Sequence, residues 1–221
     1  MKILTGIDGS RRNILLLTEF ILLFGGLPLL ILYSRDRLAM LMALWIGALL
    51  IQFFLHHYHR KNPVQKLNWE GFRKGVAAIL LRFAVLAPLI AALAWYANPE
   101  NFLSLPRDRT GLWLQIMIFY PLLSVWPQEL IYRSFIYHRY APLFGTGKGY
   151  VAASSLMFGY MHILFLNWVA VGMTLIGGFL FSSDYSRNRS LALTCLEHAL
   201  YGCLVFTVGL GIYFYSGAAW D

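Results

Sequence analysis

The feature that most limits the fold of this chain is a series of about seven apolar runs separated by short basic or polar segments. Each run is close to the roughly 20 residues that a helix needs to cross a bilayer. Backbone polar groups in hydrocarbon must be bonded within the protein, and a helix achieves this within one segment. The runs cover residues 14–33, 38–55, 75–97, 111–140, 150–165, 169–182 and 191–215. The sequence therefore predicts an all-α, polytopic transmembrane helical bundle with about seven membrane spans. Pro121 and Pro127 predict a kink in the fourth span.

The composition favours a membrane protein and excludes an ordinary soluble domain. Hydrophobic residues make up 59% of the chain and charged residues 13%, against about a quarter charged in soluble proteins. No segment between the runs is long enough to fold alone. We expect a single membrane domain over residues 1–221, with N-terminal spans over about 1–110 and a motif-bearing, catalytic-type core over 111–215.

The basic residues lie mostly between the apolar runs and predict an orientation. A net charge of +8 would suggest nucleic acid in a soluble protein, but here it indicates membrane lipids and no nucleic-acid partner. Cytoplasmic loops are enriched in Lys and Arg. We take the N-terminal segment and every second segment between the runs as cytoplasmic. The basic residues on this inside face are Lys2, Arg11, Arg12, Arg60, Lys61, Lys66, Arg73, Lys74, Arg139, Lys148, Arg187 and Arg189. The outside residues are Arg35, Arg37, Arg107 and Arg109. This bias predicts a cytoplasmic N-terminus and an outside C-terminus, and the short loops suit a bacterial inner membrane.

The stretch from Trp126 to Ser134 places two charges inside an otherwise apolar region. On a helix, Glu129 and Arg133 are one turn apart on the same face. Each charged side chain at this depth costs about 3 kcal/mol. Such residues are often functional, but an ion pair between helices or an arginine reaching the interface is the alternative.

Two histidines in later runs favour a functional role for Glu129 and Arg133 over a purely structural one. His162 and His198 could each be a hydrogen-bonded packing residue, but together with Glu129 they give three costly groups at membrane depth on three successive elements. This set suits activation of water by a carboxylate and an imidazole. It also suits a zinc site formed by Glu129, His162 and His198. The absence of a His-Glu-x-x-His motif weighs against zinc, so we predict no cofactor and keep zinc as the alternative.

Three further charges lie in apolar surroundings. Glu19 and Arg82 could pair across the bundle, or each could extend to the interface. Glu197 adjoins His198 but points about 100° away on a helix. Glu197 could therefore be a hydrogen-bond partner that holds Arg133 or a histidine in place.

The three motifs together resemble the CAAX prenyl protease and bacteriocin-processing family, also called the Abi or CAAX-protease self-immunity family of intramembrane proteases. That family carries Glu-Glu-x-x-x-Arg, then Phe-x-x-x-His, then His-x-x-x-Asn/Asp. The corresponding segments here run from Gln128 to Arg133, from Phe158 to His162 and from His198 to Gly202, within residues 112–206. The resemblance implies a helical membrane endopeptidase that cleaves a membrane-associated peptide or protein.

Carried onto this sequence, the resemblance assigns roles to the matching residues. Glu129 and His162 would activate water, His198 would stabilise the oxyanion, and Arg133 would hold the carboxylate. Two positions differ from the family pattern. Gln128 replaces the first glutamate, and Gly202 replaces the asparagine. The chain could be active with Glu129 as the base, helped by a local distortion at Pro127. Alternatively it could be an altered member that acts as a membrane binding or immunity protein, or a proton-relay transporter.

Overall fold

The computed structural model describes residues 9–61 and 68–214, and this part of the chain is helical with no β-strand. These described residues contain nine α-helices, which we number in chain order. They are α1 (Gly9–Ser34), α2 (Arg37–Lys61), α3 (Trp69–Ala97), α4 (Ser104–Asp108), α5 (residues 110–139), α6 (Ala141–Phe144), α7 (Lys148–Met161), α8 (Trp168–Asn188) and α9 (Leu191–Thr207). Short 3₁₀ segments follow α7 (His162–Phe165) and α9 (Leu210–Phe214).

Three of these helices are long and apolar enough to cross a membrane: α1, the Leu38–His57 part of α2, and α3. Helix α9 is apolar but shorter. Only 11% and 6% of the apolar windows of α2 and α3 are buried inside the protein. Apolar faces exposed on that scale require lipid around them. The protein is accordingly an all-helical integral membrane protein. A total of about seven spans and a proline kink remain predictions.

Helix α5 is uninterrupted, but its hydrogen-bond register changes twice. A π-helical turn spans Pro121–Val125, and a second one spans Leu130–Phe135. Pro121 and Pro127 lack the N–H that an α-helix donates to the carbonyl four residues earlier. A π turn holds more residues than an α turn, so each one rotates the side chains that follow it. The direction of the residues near Glu129 therefore depends on these turns.

Contacts at the helix ends show how α3, α8 and α9 alternate in direction. The Asn68 side-chain amide, just before α3, donates to the carbonyl of Asn188 at the end of α8 (2.8 Å). The Asn167 amide, just before α8, donates to the carbonyl of Tyr213 beyond α9 (2.8 Å). The start of α3 thus lies beside the end of α8, and the start of α8 lies beside the segment that follows α9.

Close packing of α7 against α8 fixes the aromatic centre of the bundle. Gly178 of α8 lies so near α7 that a Cβ there would come within 3.1 Å of the Ser155 Cα. This approach brings Phe158 of α7 and Phe181 of α8 into the same buried cluster, with ring centroids 6.2 Å apart.

Glu19 and Arg82, which could have paired across the bundle or each extended to the interface, do not pair with each other. Glu19 accepts from Arg139 instead, with Nε 2.9 Å from Oε1. Arg82 bonds both Asp184 and Glu197, so Glu197 supports neither Arg133 nor a histidine. Helix packing decides these partners. Helix α1 packs against α6, whereas α3 packs against α8 and α9.

Candidate active site

Glu129 is fully buried and bonds directly to a histidine. Its Oε1 accepts from Nδ1 of His198 at 2.9 Å. Its Oε2 lies 3.1 Å from Nε of Arg133, which is an ion-pair distance without hydrogen-bond alignment. Because an ionised carboxylate can only accept, Nδ1 of His198 carries the proton. The ring is thereby oriented with Nε2 on its far side, 3.1 Å from the hydroxyl of Tyr120.

Arg133 is also fully buried, behind Glu129. Its Nη1 donates to Oγ of Ser154 at 2.9 Å. Its guanidinium carbon lies 4.5 Å from the centroid of the Phe158 ring and 5.5 Å from that of Phe181. A cation over aromatic faces gains electrostatic stabilisation without water. Arg133 is therefore held on several sides and in turn fixes the carboxylate.

Phe158 contacts most of the other motif residues. Its ring centroid lies 4.8 Å from the His162 ring and 5.4 Å from the His198 ring. His198 also stacks on Phe181, with centroids 4.9 Å apart and an interplanar angle of 21°. The phenylalanine of the Phe-x-x-x-His motif thus separates the two imidazoles and supports both.

His162 lies at the end of α7, where the helix tightens into the 3₁₀ segment. Its Nδ1 lies 2.6 Å from the carbonyl oxygen of Phe158. A carbonyl can only accept, so Nδ1 carries the proton and Nε2 has a free lone pair. His162 is thus oriented with an acceptor nitrogen on the far side of its ring.

A cavity of about 500 Å³ lies between α3, α5, α7, α8 and α9. Most of its wall is apolar. The polar residues on it include Tyr120, Ser124, Gln128, His162 and His198. A smaller cavity of about 200 Å³ meets the other side of Ser124, Gln128 and His162. Both histidines therefore line a cavity of the size that ligand sites have.

Gln128, and not Glu129, is on the cavity wall. Gln128 donates from Nε2 to Oγ of Ser124 at 2.6 Å. Glu129 lies in the regular α segment Trp126–Glu129, and adjacent residues there point about 100° apart. The local distortion at Pro127 that could have turned Glu129 into the position of the first glutamate is not seen in this α-helical segment. Its carboxylate reaches the site only through His198.

The other predicted residues are placed as follows. Arg133 and His198 contact Glu129, Phe158 contacts both histidines, and Gly202 lines the cavity. Among residues 9–61 and 68–214, no three His, Cys, Asp or Glu side chains form a group that could hold a metal ion. The zinc set of Glu129, His162 and His198 therefore does not fit this geometry.

Sequence reasoning missed Tyr120, Ser124, Ser154 and Phe181. The spacing carried a signal for three of them. Tyr120, Ser124 and Gln128 are four residues apart, and Ser154 precedes Phe158 by four. Residues at this spacing share a helix face. No spacing pattern marked Phe181.

The fold and site define a class of protein: a helical membrane protein with ionisable groups gathered at a cavity between its helices. Residues 110–204 match the family model described as type II CAAX prenyl endopeptidase Rce1-like. The match covers all three motifs and confirms the resemblance to the CAAX protease family. No curated protein and no solved structure matches the chain.

Proposed function

We propose that the protein is an intramembrane endopeptidase that hydrolyses a peptide bond in a membrane-associated peptide or protein. The observation that carries this proposal is that His162 and His198 face one cavity while the buried carboxylate of Glu129 holds His198. The family match over residues 110–204 supports a peptidase. The apolar wall, which includes Leu86 and Ile90 of α3, suits the apolar part of a substrate.

In the proposed mechanism His162 is the general base. Its Nε2 takes a proton from water, the resulting hydroxide attacks the scissile carbonyl, and His162 returns that proton to the leaving amine. His198, oriented by its hydrogen bond to the buried Glu129 carboxylate, lies near the developing oxyanion and stabilises it. Glu129 is then a positioning and charge-balancing residue, since it does not line the cavity.

A second candidate function is binding without hydrolysis, as in an immunity or peptide-binding membrane protein. The observation that favours it is Gln128 on the cavity wall, where the family has its first glutamate. An amide has no basic site comparable to a carboxylate, so this position cannot take a proton from water. A zinc-dependent protease is less well supported, because the three ligands do not group. Metal analysis of the purified protein tests it.

His162→Ala and His198→Ala are each expected to lower peptide cleavage at least about 100-fold, because each removes a group that handles a proton or charge. The measurement is cleavage of a membrane-peptide library in liposomes, read by mass spectrometry. His56→Ala is the matched control, since His56 is exposed on α2 and lines neither cavity. Wild-type rates in both cavity variants would contradict the mechanism. An inactive wild type that still binds peptide would favour the second candidate.

We also propose seven spans in a bacterial inner membrane, with the N-terminus in the cytoplasm. The charge bias and the paired helix ends support this topology. In a background lacking Cys195 and Cys203, Glu100→Cys should react with an impermeant thiol reagent in intact cells. Thr146→Cys should react only after the cells are opened, because both positions are exposed and the proposed orientation puts them on opposite sides of the membrane. Labelling of Thr146→Cys in intact cells would contradict this orientation.

A further inference from the structure

Tyr120 lies at the end of the first α-helical part of α5, directly before Pro121. Gly202 stands where the family motif has asparagine, so one polar donor is missing. A Cβ built on Gly202 would overlap the ring carbons and the hydroxyl of Tyr120. The tyrosine therefore fills the space from which an asparagine side chain would start. Tyr120 can occupy this position only because residue 202 is glycine.

The hydroxyl of Tyr120 is bonded to the histidine of the third motif. It lies 3.1 Å from Nε2 of His198, whose Nδ1 is 2.9 Å from Glu129. The Tyr120 ring is further held edge-on by Phe206, with centroids 5.3 Å apart. Tyr120, His198 and Gly202 all line the 500 Å³ cavity. A hydrogen-bonded chain thus runs from the buried Glu129 carboxylate through His198 to a hydroxyl at the cavity.

We infer that Tyr120 donates the hydrogen bond that the asparagine at position 202 would otherwise supply to the oxyanion, an inference that rests on the proposed peptidase function. With His198 protonated, Nδ1–H donates to Glu129 and Nε2–H donates to the Tyr120 oxygen. The hydroxyl proton is then directed into the cavity, toward the carbonyl oxygen of the scissile bond. Tyr120 keeps its proton throughout. It stabilises the oxyanion by a hydrogen bond that the imidazolium strengthens.

Tyr120→Phe tests this role, because it removes the hydroxyl and keeps the ring beside Gly202. We expect kcat for peptide cleavage to fall by about 10²–10³-fold, as when one oxyanion donor is lost, with little change in KM. Tyr160→Phe is the matched control, since its hydroxyl bonds the carbonyl of Gly25 away from the large cavity. An unchanged kcat in Tyr120→Phe would overturn the inference.

A rescue variant separates loss of the donor from loss of packing. Tyr120→Ala opens the space beside residue 202, and Tyr120→Ala with Gly202→Asn returns an amide to it. We expect the double variant to recover at least about tenfold in kcat over Tyr120→Ala alone. Gly202→Asn alone should lower activity, because the new side chain collides with Tyr120. No recovery in the double variant, with the protein folded, would also count against the role.

The histidine variants distinguish the failure of this inference from failure of the proposed function. If His162→Ala and His198→Ala are inactive while Tyr120→Phe is fully active, only the role of Tyr120 is wrong. If the histidine variants cleave at the wild-type rate, the peptidase mechanism itself is wrong. Where wild-type cleavage is too slow to measure, the series is run in the Gln128→Glu background. No cleavage in either background overturns both.

Discussion

Gln128→Glu is expected to raise the rate of peptide cleavage by about 10²–10⁴-fold at neutral pH, the range that a positioned general base contributes. Gln128 lines both the large and the small cavity, together with His162. A carboxylate at this position can take a proton from water, which the native amide cannot. The change is nearly isosteric. Ser124 now accepts from the glutamine at 2.6 Å, and its hydroxyl can turn to donate to a glutamate.

Gln128→Ala and Gln128→Glu with His162→Ala are the informative controls. Gln128→Ala should leave the native rate nearly unchanged, because the amide is not the base. The double variant should lose most of the increase in cleavage rate if His162 also takes part in activating water. Rates are compared in liposomes on the same peptide, after each variant is shown to elute as the folded protein. A folded Gln128→Glu protein with no gain would contradict the placement of residue 128 at the reacting water.

Glu129→Ala is expected to destabilise the protein by about 3–5 kcal/mol, as found when one partner of a buried ion pair is removed. The variant would leave the guanidinium of Arg133, which is fully buried, without its carboxylate. It would also free Nδ1 of His198. Reversible unfolding in detergent or in bicelles measures the loss. Glu129→Gln should be milder, because its amide oxygen can still accept from His198.

A double variant tests whether Glu129 and Arg133 stabilise each other. Glu129→Leu with Arg133→Met removes both charges and should be less destabilised than the sum of the two single variants. Glu70→Ala is the matched control for a surface pair, because Glu70 and Lys74 are exposed and one turn apart. That variant should show no measurable loss. Strict additivity of Glu129→Leu and Arg133→Met would mean that the two side chains do not stabilise each other.

Much of the fold could be predicted from the sequence because bilayer length and apolar content act over whole segments. Within the described residues each of the seven runs overlaps a helix, and the third run ends with α3 at Ala97. Which helices touch could not be predicted, because periodicity describes one helix at a time. For that reason the sequence left open whether Glu19 and Arg82 pair with each other. Their partners depend on α1 meeting α6 and on α3 meeting α8 and α9.

For the candidate site, the motifs predicted the residue types, while the helix geometry decides which of them face the cavity. Glu129 and His198 were expected to act together, and they are bonded. Whether Gln128 or Glu129 faces the cavity depends on how the π turns of α5 rotate the chain, and local sequence does not specify that rotation. Tyr120 lies before the first motif, so only the contact with Gly202 revealed it.

The overlap between Tyr120 and any side chain at position 202 has a consequence for sequence evolution. A change at either position alone is unfavourable, either because atoms collide or because a donor is lost. The two positions should therefore co-vary among relatives. Glycine at 202 should accompany tyrosine at 120, and asparagine at 202 should accompany a smaller residue at 120. An intermediate ancestor would need a small residue at both positions and would have only one group, His198, beside the oxyanion.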